Sequence, residues 1–143
     1  MTQILQFVMF VIGALVASMF AVGKSVYKES DGNGIHVTLT ATVEGKQLAY
    51  VNGWAGITGE SGNSGETIAL DISGIERQFE VPAGLAVNKG DKVYIDTAQV
   101  TGHTPNDAAY STSSGAGKIP VFKATSAKDG NNVVTGILIV KYN

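Results

Sequence analysis

The distribution of charge divides this chain into two parts. All ten Lys and Arg residues and all twelve Asp and Glu residues lie after Gly23. Residues 4–22 form an apolar run that is interrupted only by one Gln, one Gly and one Ser. A helix of this length spans about 28 Å at ~1.5 Å per residue, which is close to the thickness of the hydrocarbon core of a bilayer. The sequence therefore predicts an apolar N-terminal helix over residues 1–23.

Three interpretations fit this apolar run: a helix in a bilayer, a cleaved secretory signal, and a helix in the interior of a protein assembly. The signal is disfavoured because no Lys or Arg precedes the apolar run, although Ala21-Val22-Gly23 resembles a cleavage site. Gly13, Ala17 and Ala21 recur at every fourth position. Such a stripe of small residues permits close helix packing in lipid or in protein. Both of these surroundings therefore stay open.

The remainder of the chain carries the patterns of short strands. Residues 24–34 are polar and contain glycine, which is typical of a hinge. Residues 35–43 alternate between apolar and polar side chains with period two, as a half-buried strand does. Together with residues 46–51 and 54–58 they predict a three-stranded meander, in which Asn52-Gly53 forms a type I′ turn.

Further strands are predicted downstream, and residues 101–117 are polar without periodicity, which indicates a long surface loop. The downstream strands are residues 67–72, 77–81, 92–96, 118–123 and 133–141. Many short strands at this spacing favour a small antiparallel β-barrel or sandwich. The predicted fold is therefore mainly β, with a β-rich domain over residues 35–143 that follows the apolar helix.

Composition and spacing exclude several classes of function. A net charge of −2 gives no broad basic field for nucleic acid, and the absence of cysteine removes disulfides, thiolate catalysis and Cys-based zinc sites. His36 lies on the polar face of a strand, and His103 lies in the long loop beside Asp107, where a metal or acid–base role is disfavoured. Glu76 and Glu80 are interpreted as solvated strand ends. We expect no enzyme, no cofactor and no metal.

The order of several short motifs resembles that of the phage capsid cement family, which consists of small β-rich decoration proteins. The motifs are VNGWAGI at 51–57, GET at 65–67, AL at 69–70, FEVPA at 79–83, KGDKVYID at 89–96, IPV at 119–121 and VVTGILIV at 133–140. The likeness covers residues 35–143. It implies a virion component that binds the outside of a lattice of major capsid protein, often as a symmetric oligomer, and stiffens it. The family has no catalytic residues to transfer.

Residues 1–23 depart from the family pattern, because its members usually begin close to the first strand. Burial of each large apolar side chain contributes about 1.5–3 kcal/mol, so about a dozen of them exceed in gross terms the ~12 kcal/mol of a nanomolar contact. We therefore expect an anchor that is buried in neighbouring subunits. Its candidate contact residues are Phe7, Phe10, Gly13, Ala17, Phe20 and Ala21.

The expected partners are the major capsid protein and further copies of this chain, with a trimer or another ring suited to a lattice that has threefold and sixfold axes. A membrane contact through residues 1–23 stays open, and no nucleic acid is expected. The expected location is the capsid surface of a virion. Two rival functions also stay open: a pilin-like subunit of an extracellular filament, and a membrane-anchored β-domain that acts as a binding module.

Overall fold

The computed structural model describes residues 34–139, and this part of the chain is built from antiparallel strands. The predicted apolar helix and all but the last residue of the predicted hinge lie outside the described residues. The strands between residues 34 and 139 are β1 Gly34–Thr38, β2 Leu48–Val51, β3 Trp54–Thr58, β4 Thr67–Asp71, β5 Glu76–Glu80, β6 Lys92–Asp96, β7 Val100–Thr101, β8 Thr104–Pro105, β9 Tyr110–Ser111, β10 Lys118–Ala124 and β11 Val133–Leu138. Single 3₁₀ turns lie at Thr97–Gln99 and Asp107–Ala109. The prediction of a mainly β, antiparallel fold is therefore confirmed.

The first sheet has the strand order β1-β4-β3-β2, which corrects the predicted meander. The sequence predicts that β1 pairs with β2, but β1 pairs with β4, with Val37 opposite Ile68. The predicted strand over residues 35–43 is also too long, because the ladder of β1 ends at Thr38. Burial nevertheless alternates as far as Val43, which forms only an isolated bridge with Gly62. A period-two pattern reports which face of a strand is buried but does not identify its partner.

The predicted turn between β2 and β3 is confirmed. Asn52 and Gly53 have φ angles of 51° and 87°, which are the positive values that a type I′ turn requires. The turn places Val51 opposite Trp54 and pairs all of β2 with residues 54–57 of β3. The hairpin therefore forms from local sequence, as the Asn-Gly pair predicts.

The second sheet has the strand order β5-β11-β10-β6-β9. The rings of Phe79 on β5 and Phe122 on β10 stack with centroids 4.1 Å apart. These strands are separated by β11, whose Gly136 lies opposite Arg77 on one side and Ala124 on the other. Both rings belong to the larger of the two apolar clusters in the described residues.

The prediction of a long surface loop over residues 101–117 is wrong in part. The segment contains β8, the second 3₁₀ turn and β9, and Tyr110 of β9 pairs with Ile95 of β6. Pro105 and Ala109 are buried. Strands of two residues are too short to produce a periodic pattern, which is why their sequence resembles that of a loop.

The hairpin of β2 and β3 contributes side chains to both apolar clusters. Leu48, Tyr50 and Ile57 pack against the larger cluster, which is built mainly from the second sheet. Ala49 and Val51 belong to the smaller cluster together with β1 and β4. This arrangement brings the start of β2 close to β5, and a cleft lies between them.

Candidate functional site

A cleft of about 400 Å³ lies where three separate segments of the described chain meet. Residues 46–48 line it from the start of β2, residues 78–83 from β5 and the chain that follows, and Thr104, Pro105, Asp107 and Tyr110 from the segment around β8. The stacked rings of Phe79 and Phe122 also contribute to its lining. The cleft therefore joins elements that are distant in sequence.

One wall of this cleft is the open edge of a sheet. Within residues 34–139, β5 pairs with β11 on one side and with no strand on the other. The Val81 N–H donates to the Asn132 carbonyl at 2.9 Å, and the register places Glu80 opposite Val133. Hydrogen-bonded pairs alternate along an antiparallel ladder, so the N–H and C=O groups of Gln78 and Glu80 point away from β11. Both of these residues line the cleft.

The cleft is lined by more acidic than basic side chains. The carboxylates of Glu80 and Asp107 and the ammonium of Lys46 belong to residues that line it. Burial raises the pKa of the Tyr110 hydroxyl to about 12, with further contributions from the charges of Asp107 and Glu80. Both carboxylates therefore act on the same part of the cleft. In the described part of the chain, neither carboxylate has an ion-pair partner.

His103 has a structural position rather than a position in the cleft. Its Nε2 accepts the backbone N–H of Thr40 at 2.9 Å, and its Nδ1 lies 3.2 Å from the Tyr50 carbonyl oxygen. The Tyr50 N–H in turn donates to the His103 carbonyl at 2.8 Å. Both ring nitrogens are thus engaged in holding the β7–β8 hairpin against Thr40, which follows β1, and against Tyr50 of β2. His36 is exposed on its strand, as the sequence predicts.

A second polar cluster joins the two sheets. Arg77 on β5 donates from Nη1 and Nη2 to Oδ2 of Asp71 on β4, at 3.1 Å in each case. The Ser73 N–H donates to the other carboxylate oxygen at 2.8 Å. Burial alone would raise the pKa of Asp71, but the hydrogen bonds from Ser73 and the charge and hydrogen bonds of Arg77 outweigh it and lower that pKa. This cluster holds β4 and β5 together.

The predicted anchor contacts lie outside the described residues, so their geometry stays a prediction. They are Phe7, Phe10, Gly13, Ala17, Phe20 and Ala21. Within residues 34–139, no group of three His, Asp or Glu side chains is arranged to hold a metal ion. The same residues contain no helix that is both long enough and apolar enough to cross a bilayer.

The sequence does not predict the cleft. Its patterns indicate a solvated strand end at Glu80 and a loop over residues 104–110. The available signal was the apolar residues Pro105, Ala109 and Tyr110 inside an otherwise polar stretch, which indicate that this segment packs against the domain. Nothing local connects that segment with residues 46–48 or 78–83.

Antiparallel sheets on apolar clusters, with an open strand edge beside a cleft, are typical of a β-rich binding domain. A family model described as phage cement protein matches residues 29–139, and the chain belongs to this family. The comparisons with curated proteins and with solved structures found no significant match. The resemblance predicted from the motifs is therefore confirmed.

Membership of this family establishes the function in outline. Phage cement proteins are structural proteins of the capsid, so this chain is a non-enzymatic virion protein that lies on the capsid and stabilises it. The match begins at residue 29, and residues 1–28 precede it. The apolar segment is therefore an addition to the part of the chain that defines the family.

Proposed function

We propose that residues 1–23 form an apolar helix that anchors this cement protein in the shell, buried between subunits of the major capsid protein. The observation that carries the proposal is the segregation of charge: every charged residue lies after Gly23, and the apolar segment lies outside the family match. Gly13, Ala17 and Ala21 form the line of closest contact. Phe7, Phe10 and Phe20 supply the largest apolar side chains.

The physical support is the free energy of burial. Each large apolar side chain contributes about 1.5–3 kcal/mol on leaving water, and a nanomolar contact needs ~12 kcal/mol. The burial of about a dozen such side chains therefore contributes more free energy than is lost in ordering the helix and in association. The polar β-rich domain then faces solvent on the outside of the shell.

The two sheets of the β-rich domain are proposed to form a small sandwich. Leu48, Tyr50 and Ile57 of the first sheet pack against the cluster formed by the second sheet, which supports this arrangement. The proposed assembly is a trimer, because a ring of identical contacts matches the local threefold axes of a capsid lattice.

The test uses phage heads that lack the cement protein. The full-length protein is expected to bind them in a fixed ratio and to raise the temperature at which they break open. Deletion of residues 2–22 removes the anchor, so the truncated protein is expected to remain in the supernatant when the heads are sedimented. Stoichiometric binding of the truncated protein would contradict the anchor and leave the capsid-stabilising function intact.

A pair of substitutions tests the line of closest contact. Ala17→Phe places a large ring in the small-residue stripe, whereas Leu15→Phe places the same ring ~200° around the helix at ~100° per residue. We expect Ala17→Phe to weaken attachment to heads and Leu15→Phe to preserve it. If the helix instead lies in lipid, the wild-type protein is expected to remain with membranes after alkaline carbonate extraction.

A further inference from the structure

We propose that the cleft beside β5 binds an extended segment of the capsid protein as an additional strand, with a Lys or Arg side chain of that segment held between Glu80 and Asp107. This proposal rests on the attachment of the protein to the capsid. It adds a second contact with the capsid protein to the contact made by the proposed anchor. It assigns a role to an edge strand that the family function alone does not single out.

The backbone of β5 provides the first part of the recognition. Gln78 and Glu80 direct their N–H and C=O groups away from β11, and they are two residues apart on the same strand. This spacing, about 6.8 Å, is the spacing at which one antiparallel strand bonds the next. An added strand satisfies all four groups at once, and main-chain hydrogen bonds of this kind give affinity without requiring a particular sequence.

The opposite wall of the cleft provides contacts for side chains. Leu48, Pro105 and Tyr110 line it across from β5. Successive side chains of an added strand point to opposite faces. One set therefore packs against these apolar groups while the other set faces solvent. A flat, isolated sheet edge offers only main-chain hydrogen bonds, whereas this edge also offers apolar contacts to the side chains of an added strand.

The charge of the cleft selects the chemistry of the occupant. Glu80 and Asp107 are two carboxylates against one ammonium group, that of Lys46, and neither carboxylate has an ion-pair partner within residues 34–139. Glu80, Asp107 and Tyr110 all line the cleft, and the charges of both carboxylates contribute to the raised pKa of the Tyr110 hydroxyl. A cationic side chain that enters the cleft gains attraction from both carboxylates.

The family to which the chain belongs indicates the occupant. Phage cement proteins bind the capsid. β11, the last strand of the described residues, runs antiparallel to β5 with Ile137 opposite Glu76, so it leads away from the end of β5 at Glu80. An extended segment of the capsid protein is therefore the occupant that we assign to the cleft.

The test is a competition between full-length proteins for a limiting number of cement-free heads. Glu80→Lys reverses the charge at an exposed position of the cleft, and Glu76→Lys makes the same change four residues earlier on the same strand, outside the cleft. Mixed in equal amounts with labelled wild-type protein, Glu80→Lys is expected to occupy about tenfold fewer sites, whereas Glu76→Lys stays within about twofold of wild type.

A second pair of variants tests the strand edge. Gln78→Pro removes an N–H that points away from β11, and proline is tolerated at such edge positions. His36→Pro is the matched control on the edge strand β1. The Leu39 N–H donates to the Glu66 carbonyl, and bonded residues alternate along the ladder, so the backbone N–H of His36 points away from β4. Gln78→Pro is expected to compete about tenfold less well and His36→Pro about as well as wild type.

Several results would overturn the added strand. Equal competition by wild type and Glu80→Lys would do so, as would equal losses in Glu80→Lys and Glu76→Lys, which indicate a general effect of charge. If Glu80→Lys instead lowers the mass of the free oligomer and leaves head binding unchanged, the cleft holds a second copy of this chain. A photo-crosslinking residue at position 78 is expected to label the capsid protein, and this readout decides the matter even where Gln78→Pro does not fold. Failure of the wild-type protein to bind heads would contradict capsid attachment itself.

Discussion

Gly136 lies where β11 passes the ring of Phe122. A Cβ atom at this position would be 2.8 Å from Cδ2 of that ring and 2.8 Å from the carbonyl oxygen of Lys123. The carbonyl belongs to the backbone of β10, so it cannot move away without disturbing the ladder between β10 and β11. Glycine is therefore required here by the close approach of two strands rather than by an unusual φ angle.

Gly136→Ala is expected to lower the free energy of unfolding by about 1–3 kcal/mol, which is the usual cost of excess volume in a packed core. Gly130 is the matched control, because a Cβ atom there meets nothing within 4 Å. Gly130→Ala is expected to change stability by less than about 0.5 kcal/mol. Urea denaturation of the two full-length variants measures the difference. Equal stabilities would show that the strands separate to accept a methyl group.

Among the elements, the β7–β8 hairpin depends on one histidine. His103 has a φ angle of 71° and bonds Thr40 and Tyr50 through its ring. Positive φ angles are unfavourable for most residues and less so for Asn and Gly. The imidazole ring thus supplies hydrogen bonds that hold the hairpin in place. The unfavourable φ angle of His103 is needed to position that ring.

His103→Ala is expected to lower the free energy of unfolding by about 1–2 kcal/mol, since the hydrogen bonds of the ring to Thr40 and Tyr50 are lost and the strained backbone remains. His103→Asn tolerates the positive φ angle but lacks the ring, so it is expected to lose less stability than His103→Ala. Hydrogen exchange should speed up at the Tyr50 amide, which bonds the His103 carbonyl. His36→Ala, on an exposed ring, should leave both readouts unchanged.

The sequence predicts elements better than it predicts how they pair. Residues 92–96 and 54–58 were predicted with the bounds that the structure has, because alternation and turn residues act over a few positions. The sequence does not predict the pairing of β1 with β4, because β2 and β3 lie between them in the chain. The alternation of a strand does not identify the strand with which it pairs. The cleft was missed for the same reason, since three distant segments form it and none carries a recognisable motif.

At the scale of the whole molecule, the contact between Asp71 and Arg77 connects the two sheets. Asp71 ends β4 of the first sheet, and Arg77 lies in β5 of the second. The Arg77 side chain is 16% exposed and that of Asp71 is 36% exposed, so solvent screens the carboxylate in part. The pair nevertheless carries two hydrogen bonds from one guanidinium group, a geometry that is favourable for orienting the sheets.

This contact predicts a specific loss of stability in acid. The pKa of Asp71 is lowered in the folded state from the ordinary value of 3.8, because the bonds from Ser73 and Arg77 outweigh the opposing effect of burial. A group whose pKa is lowered on folding stabilises the protein above its unfolded pKa, and this stabilisation disappears as the pH falls through the folded pKa. The contribution of Asp71 is thus present at neutral pH and is lost below about pH 4.

Asp71→Asn removes the titrating group, so the variant should melt at a lower temperature than wild type near neutral pH. The two melting temperatures are then expected to converge as the pH falls below about 4 and through the lowered pKa of Asp71 in the folded state, because the wild-type protein loses the charge that the variant already lacks. Glu60→Gln is the control, since Glu60 is exposed and forms no ion pair within the described residues. A gap between wild type and Asp71→Asn that stays constant as the pH falls through this range would show that the difference in stability does not come from the ionisation of Asp71. The orientation of the sheets would then depend on hydrogen bonds at this point and not on charge.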